Sequence, residues 1–221
     1  MKKKVLATFA ALSVVTSVGF ASPLTDYSAG KTAIDLNFRN SDINVTGGGV
    51  SPDYDKKYNL DWGITTGLGN KFAIQYNGYN AKSKDTTFIS SIESTKVKTQ
   101  EFNVLYQLNK NVSVYAGSIK VKGSVTDVGN STTYTADDKS KIQFGLVGST
   151  KIAEKTTAYA SLAVASDITN WKIGVSQEIA PNLEFNLDYR NMKVKDVEFV
   201  SGGNSYDVKS KGLGYGVTYK F

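Results

Sequence analysis

From Gly30 to the carboxyl terminus, apolar and polar residues alternate along the chain with period two. No stretch there carries a helical stripe. Alternation of this kind predicts β-strands with one apolar and one polar face. Ten runs stand out, at residues 34–39, 58–65, 72–77, 101–108, 112–117, 142–146, 158–164, 171–176, 183–190 and 213–221. The first sets Ile34, Leu36 and Phe38 against Asp35, Asn37 and Arg39. The ninth sets Leu183, Phe185, Leu187 and Tyr189 against Glu184, Asn186, Asp188 and Arg190. Ile119 and Val121 fall out of phase with Val112 and Val114, which predicts a bulge near Gly117 or an early strand end.

The connections sort by length. Strands two and three meet through Gly67-Leu68-Gly69-Asn70, four and five through Asn109-Lys110-Asn111, and eight and nine through Ala180-Pro181-Asn182. Strands six and seven meet near residues 151–155. The intervening connections, at 40–57, 80–98, 122–141, 166–170 and 191–211, are longer in four cases of five. Long and short loops on alternate ends are the mark of a transmembrane barrel, with short turns on the periplasmic side. Every backbone group in hydrocarbon needs a partner, so the first strand must close on the last. The expected fold is all-β: a closed, antiparallel, up-and-down transmembrane β-barrel of about ten strands, with eight as the alternative.

Which face looks outward follows from volume. Ten strands enclose a lumen little wider than eight, which side chains just fill. Trp62, Trp171, Tyr76, Tyr106, Phe144, Phe185, Tyr189, Tyr215 and Tyr219 would overfill it, so the aromatic face is the outer one. Phe72, Tyr106, Phe185, Tyr219 and Phe221 fall near the short turns. Phe38, Tyr58, Trp171 and Tyr189 fall near the long loops. Two aromatic girdles suit two membrane interfaces. Trp62 lies mid-strand and belongs to neither.

The inner face then holds Asp35, Arg39, Asp61, Glu101, Lys172, Glu184, Asp188 and Arg190. Charges in a narrow interior must be paired. Arg39, Lys172 and Arg190 are expected to pair with Asp35, Asp61, Glu101 and Asp188. Glu178 and Glu184 face each other across a hairpin, with Lys220 on the next strand, which predicts a Glu178–Lys220–Glu184 cluster at the periplasmic end. Gly212, Gly214 and Gly216 recur every second residue of a strand, so they clear the inner wall and form no nucleotide loop.

The N-terminus has a different pattern. Lys2, Lys3 and Lys4 precede an apolar run from Val5 to Phe20, and Gly19-Phe20-Ala21 supplies small residues for a peptidase. This predicts a secretory signal peptide over 1–21, cleaved after Ala21, and a barrel over 22–221. The whole chain has 221 residues, with 26 Lys+Arg against 20 Asp+Glu. Losing three lysines leaves 23 basic groups against 20 acidic ones, so the nucleic-acid reading loses its support. The chain has no Cys and no His. Thiolate and imidazole metal sites, cysteine nucleophiles and Ser-His-Asp triads are therefore excluded, and no metal or other cofactor is expected.

The last strand, Leu213-Gly214-Tyr215-Gly216-Val217-Thr218-Tyr219-Lys220-Phe221, closes on an aromatic residue. It resembles the insertion signal of bacterial outer-membrane β-barrels. The mature start, Ser22-Pro23-Leu24-Thr25-Asp26-Tyr27, looks like that of small OmpA/OmpX-type or porin-family barrels. The resemblance implies residence in the bacterial outer membrane among its lipids. It also implies folding by the barrel-assembly machinery, with Tyr219 and Phe221 as the assembly signal. Ten strands departs from the eight of OmpX, and no cell-wall-binding domain of the full-length OmpA kind is expected. Omptin-type proteases also have ten strands, but their sites need a His, so an enzyme is not expected. Two functions remain. One is an envelope or surface-interaction barrel whose long loops meet surface ligands. The other is a small porin-like diffusion channel for ions or small solutes.

Overall fold

The computed structural model describes residues 22–47, 53–88, 91–198 and 204–221. The expected leader, 1–21, lies outside the described residues. Among the described residues twelve strands form: β1 (Thr32–Thr46), β2 (Asp53–Gly69), β3 (Phe72–Lys82), β4 (Thr86–Phe88), β5 (Ser91–Asn109), β6 (Val112–Asp127), β7 (Thr132–Thr135), β8 (Lys139–Ala153), β9 (Thr156–Val164), β10 (Ile168–Ala180), β11 (Leu183–Glu198) and β12 (Ser205–Lys220). Ten of them make a closed antiparallel barrel, in which β5 pairs with β6 and β1 with β12. The short β4 and β7 pair onto the outer ends of β5 and β6. Closure extends to the last residue: Thr32 N donates to Phe221 O at 2.7 Å, and Phe221 N to Thr32 O at 2.9 Å.

All ten alternating runs lie in barrel strands. The four short turns contract to two residues each, 70–71, 110–111, 154–155 and 181–182. At the first, Asn70 and Lys71 have φ of 51° and 69°. Two successive left-handed residues give the turn whose twist matches a hairpin.

The strands run further than the alternation suggested. β5 has 19 residues. That is about 60 Å of strand, which at a tilt of about 40° rises roughly 45–50 Å, against an apolar band of about 25 Å. Most of the surplus lies on the long-loop side, so much of what read as loop is paired strand.

The outer wall carries the aromatic and aliphatic side chains. Leu36, Phe38, Phe102, Phe144, Leu187 and Tyr215 are each 43–61% exposed. Trp62 has a local explanation. It stands opposite Gly78 in the β2–β3 register, and the space a Gly78 Cβ would fill is taken by its indole. The ring covers the bare backbone of its neighbour and meets Tyr76 edge-on at 5.3 Å.

No bulge occurs at Gly117: β6 keeps one register with β5 and β8 through that point. The phase change there has another origin. On β6 the inward residues are Ser113, Tyr115 and Gly117, then Ile119 and Val121, while outward Val112 and Val114 give way to Lys120 and Lys122. On β1, inward Asp35, Asn37, Arg39 and Ser41 are followed by inward Ile43 and Val45. Side chains keep alternating, but the polarity of the two faces exchanges. Lipid surrounds the lower part of each strand, so its apolar residues face out. Water surrounds the upper part, so its apolar residues face in.

Candidate functional site

The lumen is built in layers. At the periplasmic mouth, Leu24 and Tyr27 from the segment before β1 pack against Ala33, Ala73, Leu105, Tyr115, Val147 and Ala163. Gly69 N donates to Tyr27 O at 2.8 Å, and Gln107 Nε2 donates to Thr25 O at 2.6 Å. Side-chain amides cross the lumen just above. Gln143 Nε2 donates to Asn103 Oδ1 (2.8 Å), Asn103 Nδ2 to Gln75 Oε1 (3.1 Å), and Gln75 Nε2 to Thr65 Oγ1 (3.1 Å).

The charged layer follows, built around Arg39, Asp61, Asp188, Lys172, Arg190 and Glu101. Arg39 is its centre and is fully buried. Its Nε lies 2.7 Å from Asp61 Oδ2 and its Nη1 2.6 Å from Asp188 Oδ1. Nη1 also donates to Gly212 O at 3.0 Å. Lys172 Nζ approaches Asp188 Oδ2 at 3.9 Å. Arg190 Nη2 pairs with Glu101 Oε1 at 3.3 Å, and its Nε donates to Asn170 Oδ1 at 3.0 Å. Each strand contributes through its inward positions, so residues distant in sequence converge. Glycines make the room. A Cβ on Gly214 would stand 2.9 Å from the Arg39 guanidinium carbon, and one on Gly174 would stand 2.6 Å from the Tyr159 hydroxyl.

Two expectations change. Glu178 does stand opposite Glu184 in register, but it is exposed and forms no ion pair with Lys220. A register shift follows Glu178, and its amide donates to Lys155 O at the barrel rim. With water at hand, its charge needs no protein partner. The cluster reduces to Lys220 Nζ and Glu184 Oε1 at 2.6 Å. Asp35 also stands apart from the arginine pairs. Its carboxylate accepts from Thr218 Oγ1, which in turn accepts from Asn186 Nδ2.

Several members were not picked out from the sequence. Tyr79 bridges the charged layer and the apolar one above: Arg190 stacks 4.3 Å over its ring, and its hydroxyl bonds Ser41 (3.0 Å) and Ser210 (2.6 Å). Tyr159, Asn170, Gln143 and Thr218 are likewise buried and inward. Strand parity, followed beyond the charged residues, is the signal that marks them.

Above Tyr79 the lumen is filled by Ile43, Val45, Tyr54, Val97, Ile119, Val121, Ile168, Met192, Val194, Val197 and Val208. A cavity lined by Val97, Val121, Val194, Val197 and Val208 together with Gly123, Asp137 and Lys139 measures about 10 Å³, at the limit for one water. Outside the same layer the wall is basic. Lysines converge in pairs on single carboxylates: on the outside Lys56 and Lys211 on Asp42 and Lys120 and Lys122 on Asp138, and from inward positions opposite Val121 and Ile119 Lys139 and Lys141 on Asp167. Hydrogen bonding by Lys120 holds the Asp138 carboxyl below its usual range. Each trio keeps a net positive charge.

A closed ten-strand up-and-down barrel, apolar outside and charged inside, is a transmembrane β-barrel of the outer-membrane kind. The outer-membrane protease OmpT of Escherichia coli superposes with a TM-score of 0.62 at 11% identity, over 91% of this chain and 100% of that one. The attachment invasion locus protein Ail of Yersinia pestis gives 0.42 at 14% identity, over 86% and 99%. Neisserial surface protein A gives 0.46 at 13% identity, over 87% and 99%. No protein-family model matches the sequence, and no curated protein matches it. The likeness to OmpT is one of fold.

Proposed function

We propose that this chain is an exported bacterial outer-membrane barrel that is closed to solutes and acts at the cell surface, in envelope structure or surface interaction. One observation carries this reading: the lumen is filled at three levels, by the N-terminal segment with its apolar neighbours, by the charge network, and by the upper apolar layer. Ions crossing it would have to break paired charges and pass an apolar plug, each at a cost of several kcal/mol. The alternative, a small diffusion channel for ions or solutes, uses the same charged residues as a constriction. Planar-bilayer recording separates the two. The purified protein is expected to stay silent; steady ohmic openings would establish the channel.

The working surface is the part of the barrel above the membrane. Its basic belt suits the phosphates of outer-leaflet lipids, with the aromatic girdle just below as the apolar anchor. Replacing Lys56, Lys120, Lys122 and Lys211 together by Gln is expected to lower retention of phosphate-bearing lipopolysaccharide by roughly tenfold. Unchanged retention would remove the lipid role of the belt. The closing strand, with Tyr219 and Phe221 at its end, serves as the signal to the barrel-assembly machinery.

A further inference from the structure

Ser22 has no exposed surface. It sits inside the periplasmic mouth, where its hydroxyl accepts from Lys220 Nζ at 3.0 Å and lies 3.2 Å from Ser176 Oγ. Its backbone N–H is directed at the Asp35 carboxylate. Pro23, Leu24 and Tyr27 follow it into the mouth, and Gly30 N donates to Gly67 O at 3.0 Å as the segment enters β1. Gly67 allows this crossing, because the space for its Cβ is occupied by the backbone of Tyr27 and Ser28.

The enclosed charges below the apolar layer do not balance. Among the described residues they are the carboxylates of Asp35, Asp61, Glu101, Glu184 and Asp188, and the cations Arg39, Lys172, Arg190 and Lys220. Arg39 serves Asp61 and Asp188, Lys172 approaches Asp188, Arg190 serves Glu101, and Lys220 serves Glu184. Asp35, 2% exposed, belongs to no ion pair among the described residues; Lys172 and Lys220 attract it only from beyond pairing distance, each engaged with another carboxylate. A carboxylate enclosed in this way calls for a cation.

We propose that the fifth cation is the α-ammonium of Ser22, created by removal of the leader, and that its ion pair with Asp35 locks the N-terminal segment in the periplasmic mouth. Water hydrolyses the Ala21–Ser22 peptide bond, with a signal peptidase as catalyst. The leader leaves with the Ala21 carboxylate, and the freed amine takes up a proton. An α-amino group titrates near pH 8, so it is a cation at neutral pH. The amide that already points at Asp35 becomes a charged donor with three hydrogens, and the enclosed charge becomes neutral. An unprocessed chain would have to thread its leader through the mouth at this point. Seating of the plug therefore depends on processing at Ala21.

The test turns on a sign. The protein is exported, recovered from membranes, and its N-terminus is determined by intact mass. Asp35→Asn is then compared with the unaltered protein by the temperature at which the folded gel band converts to the unfolded one. With the ion pair present, the midpoint is expected to fall by roughly 5–15 °C. A second pair of proteins is refolded with one extra Met before Ser22, which displaces the ammonium by one residue. There the same substitution is expected to leave the midpoint unchanged or raise it, since it removes an uncompensated charge. A mature chain that starts elsewhere than Ser22 would overturn the proposal. So would an exported Asp35→Asn protein whose midpoint is unchanged or higher. Equal falls in both pairs would also overturn it, by assigning the loss to the Thr218 hydrogen bond.

Discussion

Replacing Arg39 by methionine is expected to cost about 3–5 kcal/mol of folding stability, read as a lowered urea midpoint in lipid vesicles. The guanidinium is fully buried between Asp61 and Asp188, at 2.7 and 2.6 Å. Methionine keeps much of the volume and removes the charge. Two carboxylates are then left in a closed lumen, with Lys172 at 3.9 Å as the nearest compensation for Asp188. The cost comes from these stranded charges, more than from the attraction that is lost. A triple variant, Arg39→Met with Asp61→Asn and Asp188→Asn, is therefore expected to recover most of the stability. Neutral groups in place of a buried ionic cluster are often tolerated. If the triple variant were as unstable as the single one, the network would be holding shape through packing, and the charge argument would fail.

The second large effect concerns the exchange of polarity along β1. Leu36 and Thr46 both point outward, one into lipid and the other above it. Leu36→Arg is expected to cost about 2–4 kcal/mol, the penalty for arginine near the bilayer midplane. Thr46→Arg is expected to change stability by less than about 0.5 kcal/mol. Ile43→Arg, inward and fully buried in the upper layer, is expected to cost at least as much as Leu36→Arg, since its charge would have no partner there. Refolding into vesicles across a urea series reads all three. Similar losses at Leu36 and Thr46 would put Thr46 within the membrane too and dismiss the exchange of faces.

Much of the barrel was legible in the sequence because lipid and lumen impose opposite demands on alternate residues. Leu36 and Phe38 against Asn37 and Arg39 already state which side is which, and the ten strands follow. What escaped was the upper barrel. There Ile43, Val45, Ile119 and Val121 are too sparse, among Lys, Ser, Thr and Asp, to stand out as strand. Their changed phase read as a defect near Gly117. Nothing in period-two alternation says at which residue water replaces lipid. The charged site was legible as a set of residues but not as a set of pairs. Parity places Arg39, Asp61 and Asp188 inside; only barrel closure brings β1, β2 and β11 to one level. Glu178 was misplaced for a related reason. Opposition across a hairpin fixes its neighbour Glu184 but not its depth, and at the rim a carboxylate stays in water. Ser22 had no signal, since a serine before a proline suggests only an unpaired start.

The exchanged faces also order the events of folding. Below the water line a strand's apolar side chains meet lipid as soon as the strand inserts, whether or not its neighbours are in place. Above that line, Ile43 on β1, Ile119 on β6 and Met192 on β11 share one apolar layer. They touch only when the sheet has curled shut. The membrane half can therefore gain free energy strand by strand, while the upper half gains it in one step at closure. A barrel left open at the β1–β12 seam would present a greasy inner wall to water on the cell's exterior. The upper half thus acts as a latch that rewards only the completed ring.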